Sequence, residues 1–400
     1  MRRTVASALA GVLAGGLLVA APAGAASRGV RSWDVPTSAR ITVSGHGYGH
    51  GHGMSQYGAE GAARQGLTYR QIANFYYPGT AWGTATGTVT VQLTGDTTPS
   101  DLVVRARSGL RLRDTAATGR TVLPDNGATQ WRVVTGAGGV SRVHYFKGRW
   151  RSFARLTGRG EFSAAGAPIT LVTPSGERAY RGRLRTAVTG SGALVTVNEL
   201  GIDSYLRGVV PLEIPASWSA AAVQAQAVAA RTYATYERAH PRSSAYQICD
   251  TSSCQVYGGY DAEHPAADAA VVATRRQVLT SGGQPAFTQF GSSSGGWTSA
   301  GSVSYLPARE DPYDGWAGNP VHDWTLKLAD TVLERAWPKI GDLTRIAVTG
   351  RDGNGAWGGR VRSITLTGTA GRVVVSGDTF RSTLGLRSTW LTFSVRPTAG

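Results

Sequence analysis

The chain has little cysteine and little lysine, and beyond its first residues it has no long apolar run. Its two cysteines, Cys249 and Cys254, are too few to supply a four-ligand zinc site alone. Lysine occurs only at 147, 327 and 339, so nearly all of the 41 basic side chains are arginines. With abundant alanine and glycine, that mixture fits a high-GC coding bias. No Lys/Arg run reads as a nucleic-acid stripe, so the net charge of +16 and the pI near 10.3 do not call for nucleic acid. An arginine-rich surface is still drawn to anionic polymers such as those of a cell wall. No later segment is apolar enough to span a bilayer, no cysteine near residue 25 could carry a lipid, and no internal repeat is evident.

What is there begins with Met-Arg-Arg, an apolar stretch from Val5 to Ala21, and Ala23-Gly24-Ala25 ahead of Ala26. That is the layout of a secretory signal peptide, expected over residues 1–25. Its apolar stretch is rich in Gly and Ala and falls short of the roughly 20 residues that span a bilayer. The expected product is exported, associated with the cell wall and without a stable membrane anchor. The remaining chain, about 370 residues, can build two or three lobes. In an oxidising compartment a close pair such as Cys249 and Cys254 reads first as a disulfide. His240 and His264 flank it at some distance, which keeps a metal open.

The organisation reads as four stretches. After the signal, residues 26–85 carry Gly45-His-Gly-Tyr-Gly-His-Gly-His-Gly-Met-Ser-Gln-Tyr-Gly58, an Ala-rich helical piece and Tyr76-Tyr77-Pro78-Gly79, and are expected to pack on the core. Residues 86–190 show short alternating runs, as in Val89-Thr-Val-Gln-Leu93, which argue an antiparallel β-rich lobe. Residues 191–400 form the core. Within it, 217–239 lack Gly and Pro and predict a long helix, with Val223, Ala227, Ala230 and Ala234 along one narrow stripe. Residues 266–280 predict a helix running into a strand, 290–306 a Gly/Ser-rich loop, 324–337 a helix, and 343–395 strands. The fold class is α+β.

Val209-Val-Pro-Leu-Glu-Ile-Pro215 places a carboxylate between two prolines that restrict its backbone. Leu212 and Ile214 set Glu213 against apolar neighbours, which would raise its pKa and keep it protonated near neutral pH. Breaking a glycosidic bond requires such a proton on the leaving oxygen. A surface Glu near a helix N-terminus is the plainer alternative.

From Asn198 through Trp218 and on through Val223-Gln-Ala-Gln-Ala-Val-Ala-Ala-Arg-Thr-Tyr-Ala234, the chain resembles the SpoIID/LytB family, that of sporulation stage II protein D and the amidase enhancer LytB. Cys254-Gln-Val-Tyr-Gly258, Phe290-Gly-Ser-Ser-Ser-Gly-Gly-Trp-Thr298, Asp311-Pro-Tyr-Asp314 and Gly385-Leu-Arg-Ser-Thr389 extend the likeness, which runs from about 180 to 395. The resemblance implies a lytic transglycosylase. Glu213 would protonate the bond between N-acetylmuramic acid and N-acetylglucosamine, and the muramic C6 hydroxyl would attack C1 to leave a 1,6-anhydro end. One carboxylate can then serve as acid and base, which suits a chain with no carboxylate pair beside Glu213. No cofactor is implied. The rival role is a non-catalytic wall-binding enhancer of a cell-wall amidase. The partner in either case is the glycan strand of peptidoglycan.

Further candidates for holding that strand are Gln224 and Arg231, seven residues apart and so on roughly one helix face, and Ser292, Ser293, Ser294, Gly295 and Gly296 on a loop. Gly49-His-Gly-His-Gly-Met-Ser-Gln-Tyr-Gly-Ala59 resembles a motif that many relatives carry near the C-terminus, whereas here it precedes the core. A circular permutation would return it to the same cleft, with His50 and Gln56 near substrate. Metal is not expected at His46, His50 and His52, because a Gly-rich segment without a nearby Cys or carboxylate is a poor cage. Relatives that bind zinc place His beside the cysteines, where this chain has Ser253.

Overall fold

The computed structural model describes residues 31–398, so the signal peptide expected over 1–25 lies outside the described residues. The fold is α+β, with antiparallel sheets and eight α-helices among the described residues. No helix there is long and apolar enough to cross a membrane.

The helices are α1 (Gln56–Arg64), α2 (Tyr69–Tyr76), α3 (Ile202–Arg207), α4 (Val210–Glu213), α5 (Ala220–Ala239), α6 (Pro265–Ala273), α7 (Asp330–Ala336) and α8 (Gly377–Thr383). Helix α5 is the axis of the molecule, packed by α1, α2, α3, α6 and the strand Gln277–Ser281. A single narrow stripe understates it, since 14 of its 20 residues are buried. Alanine explains the difference: with only a methyl to place, neighbours approach every face rather than one.

Residues 88–201 form a β lobe of two sheets whose strands alternate buried and open residues, as in Gln130–Thr135. One of these sheets also receives Ile248–Cys249, paired in parallel with Thr88–Gln92, which ties the cysteine loop to the lobe.

The two ends of the described segment meet. Ala39–His46 is the central strand of a three-stranded sheet between Asp323–Ala329 and Leu391–Pro397, with Ala39 opposite Pro397. Arg31–Asp34 likewise pairs with Leu343–Arg351. Ile41, Val43, Ile346, Ile364, Phe380 and Phe393 make a separate apolar cluster there. Residues 191–400 are therefore shared between this cluster and the larger one around α5. The helix expected over 324–337 is confined to α7, because Trp324-Thr-Leu-Lys-Leu alternates well enough to pair with the adjacent central strand. Tertiary pairing overrides helix propensity in that stretch.

Candidate active site

Pro211 sits in the first turn of α4, where a missing N–H costs nothing. Pro215 disfavours the helical region for Ile214, which is extended at φ −135°, ψ 141°. The turn therefore stops at Glu213. Ile214 is 1% exposed and anchors the backbone beside it.

The Glu213 side chain enters a cavity of about 220 Å3 lined by His50, Tyr233, Ser252, Ser253, Cys254, Val256, Gln289 and Phe290. The Val256 amide donates to Glu213 Oε1 at 2.9 Å. Burial raises the Glu213 pKa above the usual carboxylate range, and hydrogen bonds from Val256 and the Gln56 side chain pull it part of the way back. Glu213 is the one carboxyl group among the lining residues.

The Val256 amide is held by its surroundings. Cys249 and Cys254 are bonded to each other. Fully buried Gln255 donates to the Ala230 carbonyl and accepts from the Tyr205 hydroxyl, and the Tyr257 hydroxyl donates to Asn198. A donor fixed in this way needs no reorganisation when charge changes on the carboxyl. The sequence carried Cys254-Gln-Val-Tyr-Gly258 as a motif, but an amide role for Val256 has no side-chain signature.

The Gly/His segment reaches the same place. His50 lines the cavity, and the Gln56 side chain approaches Glu213 closely enough to lower its pKa. The segment is fitted rather than loose. Gly53 has φ +68°, and a Cβ there would stand 2.0 Å from the Gln289 carbonyl oxygen, so only glycine fits. Farther along, Glu60 of α1 accepts from the Ser219 amide and hydroxyl at the start of α5, placing a carboxylate at a helix N-terminus.

His50 is exposed at the cavity mouth, but crowding by protein and the charges of His52, Arg360 and Arg381 lower its pKa below the ordinary imidazole value. Its Nδ1 accepts from the His52 amide at 2.9 Å, so in the neutral ring the proton lies on Nε2. His52 stacks on His50 and meets the Ser299 carbonyl, whereas His46 pairs with Asp323 and stacks on Trp357. No cluster of three potential metal-ligating side chains occurs among the described residues.

Two groups of expected sugar ligands are placed elsewhere. Arg231 is 0% exposed; its guanidinium pairs with Asp203 at 2.9 Å and donates to the carbonyls of Val271 and Gln277. It joins α5 to α3 and α6 and offers a ligand nothing. Gln224 is half-buried on α5 and is not among the cavity residues. The loop Ser292 to Gly296 does not line the cavity either. Ser293 Oγ donates to Asp314 at 2.8 Å and Ser294 Oγ to Asp311 at 2.7 Å. The amide of Gly295 also donates to Asp314. The Ser292 carbonyl accepts from the Tyr57 amide, and Gly296 packs against His322. Both carboxylates are at most 2% exposed, so the hydroxyls are consumed in neutralising buried charge. Ser55 and Tyr76 donate to the same pair, so this network bolts the Gly/His segment to the core.

The family model described as Stage II sporulation protein, SpoIID, matches residues 190–281. That match holds Glu213, α5 and the cysteine pair, while His50 and Gln56 lie outside it. The amidase enhancer of Bacillus subtilis (strain 168) is 38% identical over 146 residues, 35% of this chain and 19% of the relative. Stage II sporulation protein D of the same organism is 31% identical over 144 residues, 30% of this chain and 41% of the relative. An uncharacterised protein of Brachyspira hyodysenteriae is 36% identical over 106 residues, covering 26% and 29%. The chain thus spans well under half the length of each of these relatives.

Proposed function

We propose that the protein is an exported peptidoglycan lytic transglycosylase with Glu213 as its acid and base. The observation that carries this reading is a buried carboxyl of raised pKa, alone among the residues of its cavity, with a fixed amide on one oxygen. Protonated Glu213 gives its proton to the glycosidic oxygen as the bond from muramic C1 breaks. The C6 hydroxyl oxygen then bonds to C1, and its proton returns to the Glu213 carboxylate. No water is consumed, and the product is a 1,6-anhydro end. The Val256 and Gln56 donors favour the carboxylate that exists between the two transfers. A two-carboxylate hydrolase would need a second acid in the cavity.

The relative named an amidase enhancer favours a second reading, in which the same cleft grips the wall for a partner amidase without cutting. Incubating the protein with purified glycan strands and analysing the ends by mass spectrometry separates the two. Anhydro ends support the enzyme; intact strands with a stimulated amidase support the enhancer.

A further inference from the structure

A second hollow lies beside the Glu213 cavity. It is an open groove of about 850 Å3 between the Gly/His segment and the C-terminal part of the chain, and its lining includes Tyr48, Thr379, Arg381, Ser382 and Arg387. Its one lining carboxyl, Asp378, is exposed, whereas Glu213 is desolvated in its cavity. The groove instead presents cations and a ring.

The two arginines are oriented but uncompensated. Arg381 donates through Nε to the Leu386 carbonyl, and Arg387 donates through Nη1 to the Pro320 carbonyl at 3.4 Å. Neither makes an ion pair among the described residues, exposed Asp378 in the same groove included. By contrast, half-buried Arg181 has Glu263 as a carboxylate partner and half-buried Arg113 has Glu161. Tyr48 is 47% exposed, an aromatic surface of the kind that stacks on the apolar face of a sugar.

The groove and the cavity are consecutive. Tyr48 lines one and His50 lines the other, and two residues of chain span at most about 7 Å. The backbone between them is fixed, since the Gly49 amide donates to the Arg387 carbonyl and Tyr48 exchanges two backbone hydrogen bonds with Ser293. Arg381 also stands near enough to His50 to act on its charge.

We infer that this groove prolongs the glycan-binding cleft, taking a sugar ring on Tyr48 and a carboxylate carried by the strand on Arg381 and Arg387. The inference rests on the reading of the protein as glycan-binding, and it assigns the groove a chemistry: an anionic saccharide unit rather than a neutral one. The carboxylate has two sources on such a strand, the lactyl group of a muramic acid without its stem and the acids of a retained peptide stem.

The test measures binding in Glu213→Gln protein, so that strands persist, with three probes: denuded glycan strands, strands retaining stems, and an uncharged N-acetylglucosamine oligomer of similar length. The arginines should favour an anionic strand over the neutral oligomer by about tenfold or more at low salt, the worth of one charge-assisted hydrogen bond. Added Arg381→Gln and Arg387→Gln substitutions should remove that preference, and Tyr48→Ala should weaken all three probes alike. A preference for denuded strands identifies the lactyl source, and one for stem-bearing strands the peptide source. An undiminished preference in the double arginine variant would overturn the inference. Arg387→Gln alone, at an exposed position, guards against misfolding, and thermal melting of each variant checks it. The enzymatic reading fails separately, if protein with Glu213 intact yields no anhydro ends while strand binding still depends on the arginines.

Discussion

The Gln56 side chain, on the first turn of α1, approaches Glu213 at the end of α4 as a donor that favours its ionised form. The donor comes from outside the family-matched segment and the acceptor from within it. Removal of the donor therefore has a definite sign. Gln56→Leu should raise the Glu213 pKa further. Activity that needs the proton falls as pH rises through that pKa, so the falling limb of the pH profile should move upward, by up to about one unit for a single hydrogen bond. A lower rate with an unmoved limb would mean that Gln56 only fills space.

Arg231→Met tests the structural placement of that arginine. It leaves Asp203 without its buried partner and strips the donors from the carbonyls of Val271 and Gln277. Leaving such buried carbonyls without a donor costs about 1–3 kcal/mol each. Urea unfolding should show a large fall in midpoint, while the folded fraction keeps its affinity for glycan. A specific loss of glycan affinity at unchanged stability would restore Arg231 to the binding site.

The Asp311 and Asp314 pair gives a pH dependence of stability. Burial and the charge of Asp314 push Asp311 up to about 6, while hydrogen bonds from His322, Ser55 and Ser293 hold Asp314 below the usual range. Asp311 favours the folded state when protonated, so its contribution is full below its unfolded pKa near 4 and is lost as pH rises through about 6. The loss is on the order of 2 kcal/mol. Asp314 has the opposite sign, losing its contribution as pH falls below the ordinary carboxylate range. Thermal melts between pH 4 and 7 should therefore show a decline toward pH 7 that Asp311→Asn abolishes. The same decline in the variant would place its origin elsewhere.

Sequence patterns revealed the buried carboxyl more readily than its setting. Proline on both sides of Glu213 and apolar neighbours indicated a restrained, desolvated carboxyl, and the helix before Ala239 was legible from its alanines. The return of His50 and Gln56 to the cavity followed only from a family resemblance, because their placement depends on contacts between distant parts of the chain. Arg231 and the serines of the 292–296 loop carried chemistry that suits sugars, but pattern alone does not distinguish a hydroxyl facing a groove from one facing a buried aspartate. The strand at Asp323–Ala329 was hidden for a related reason: helix formers fill it, and its partner strand lies at the other end of the chain.

The central claim is that the Glu213 proton cuts the strand. Glu213→Gln keeps the size of the side chain and an acceptor for the Val256 amide, so the fold and strand binding should survive. Losing the general acid commonly costs about 10² to 10⁴ in rate, and here the same group also takes the C6 proton, so both transfers should fail together. The measurement is the yield of 1,6-anhydro ends from purified glycan strands, by mass spectrometry, alongside co-sedimentation with the same strands. The account predicts anhydro ends from the protein with Glu213, none above background from Glu213→Gln, and equal co-sedimentation for both; equal yields of anhydro ends from the two proteins would contradict it.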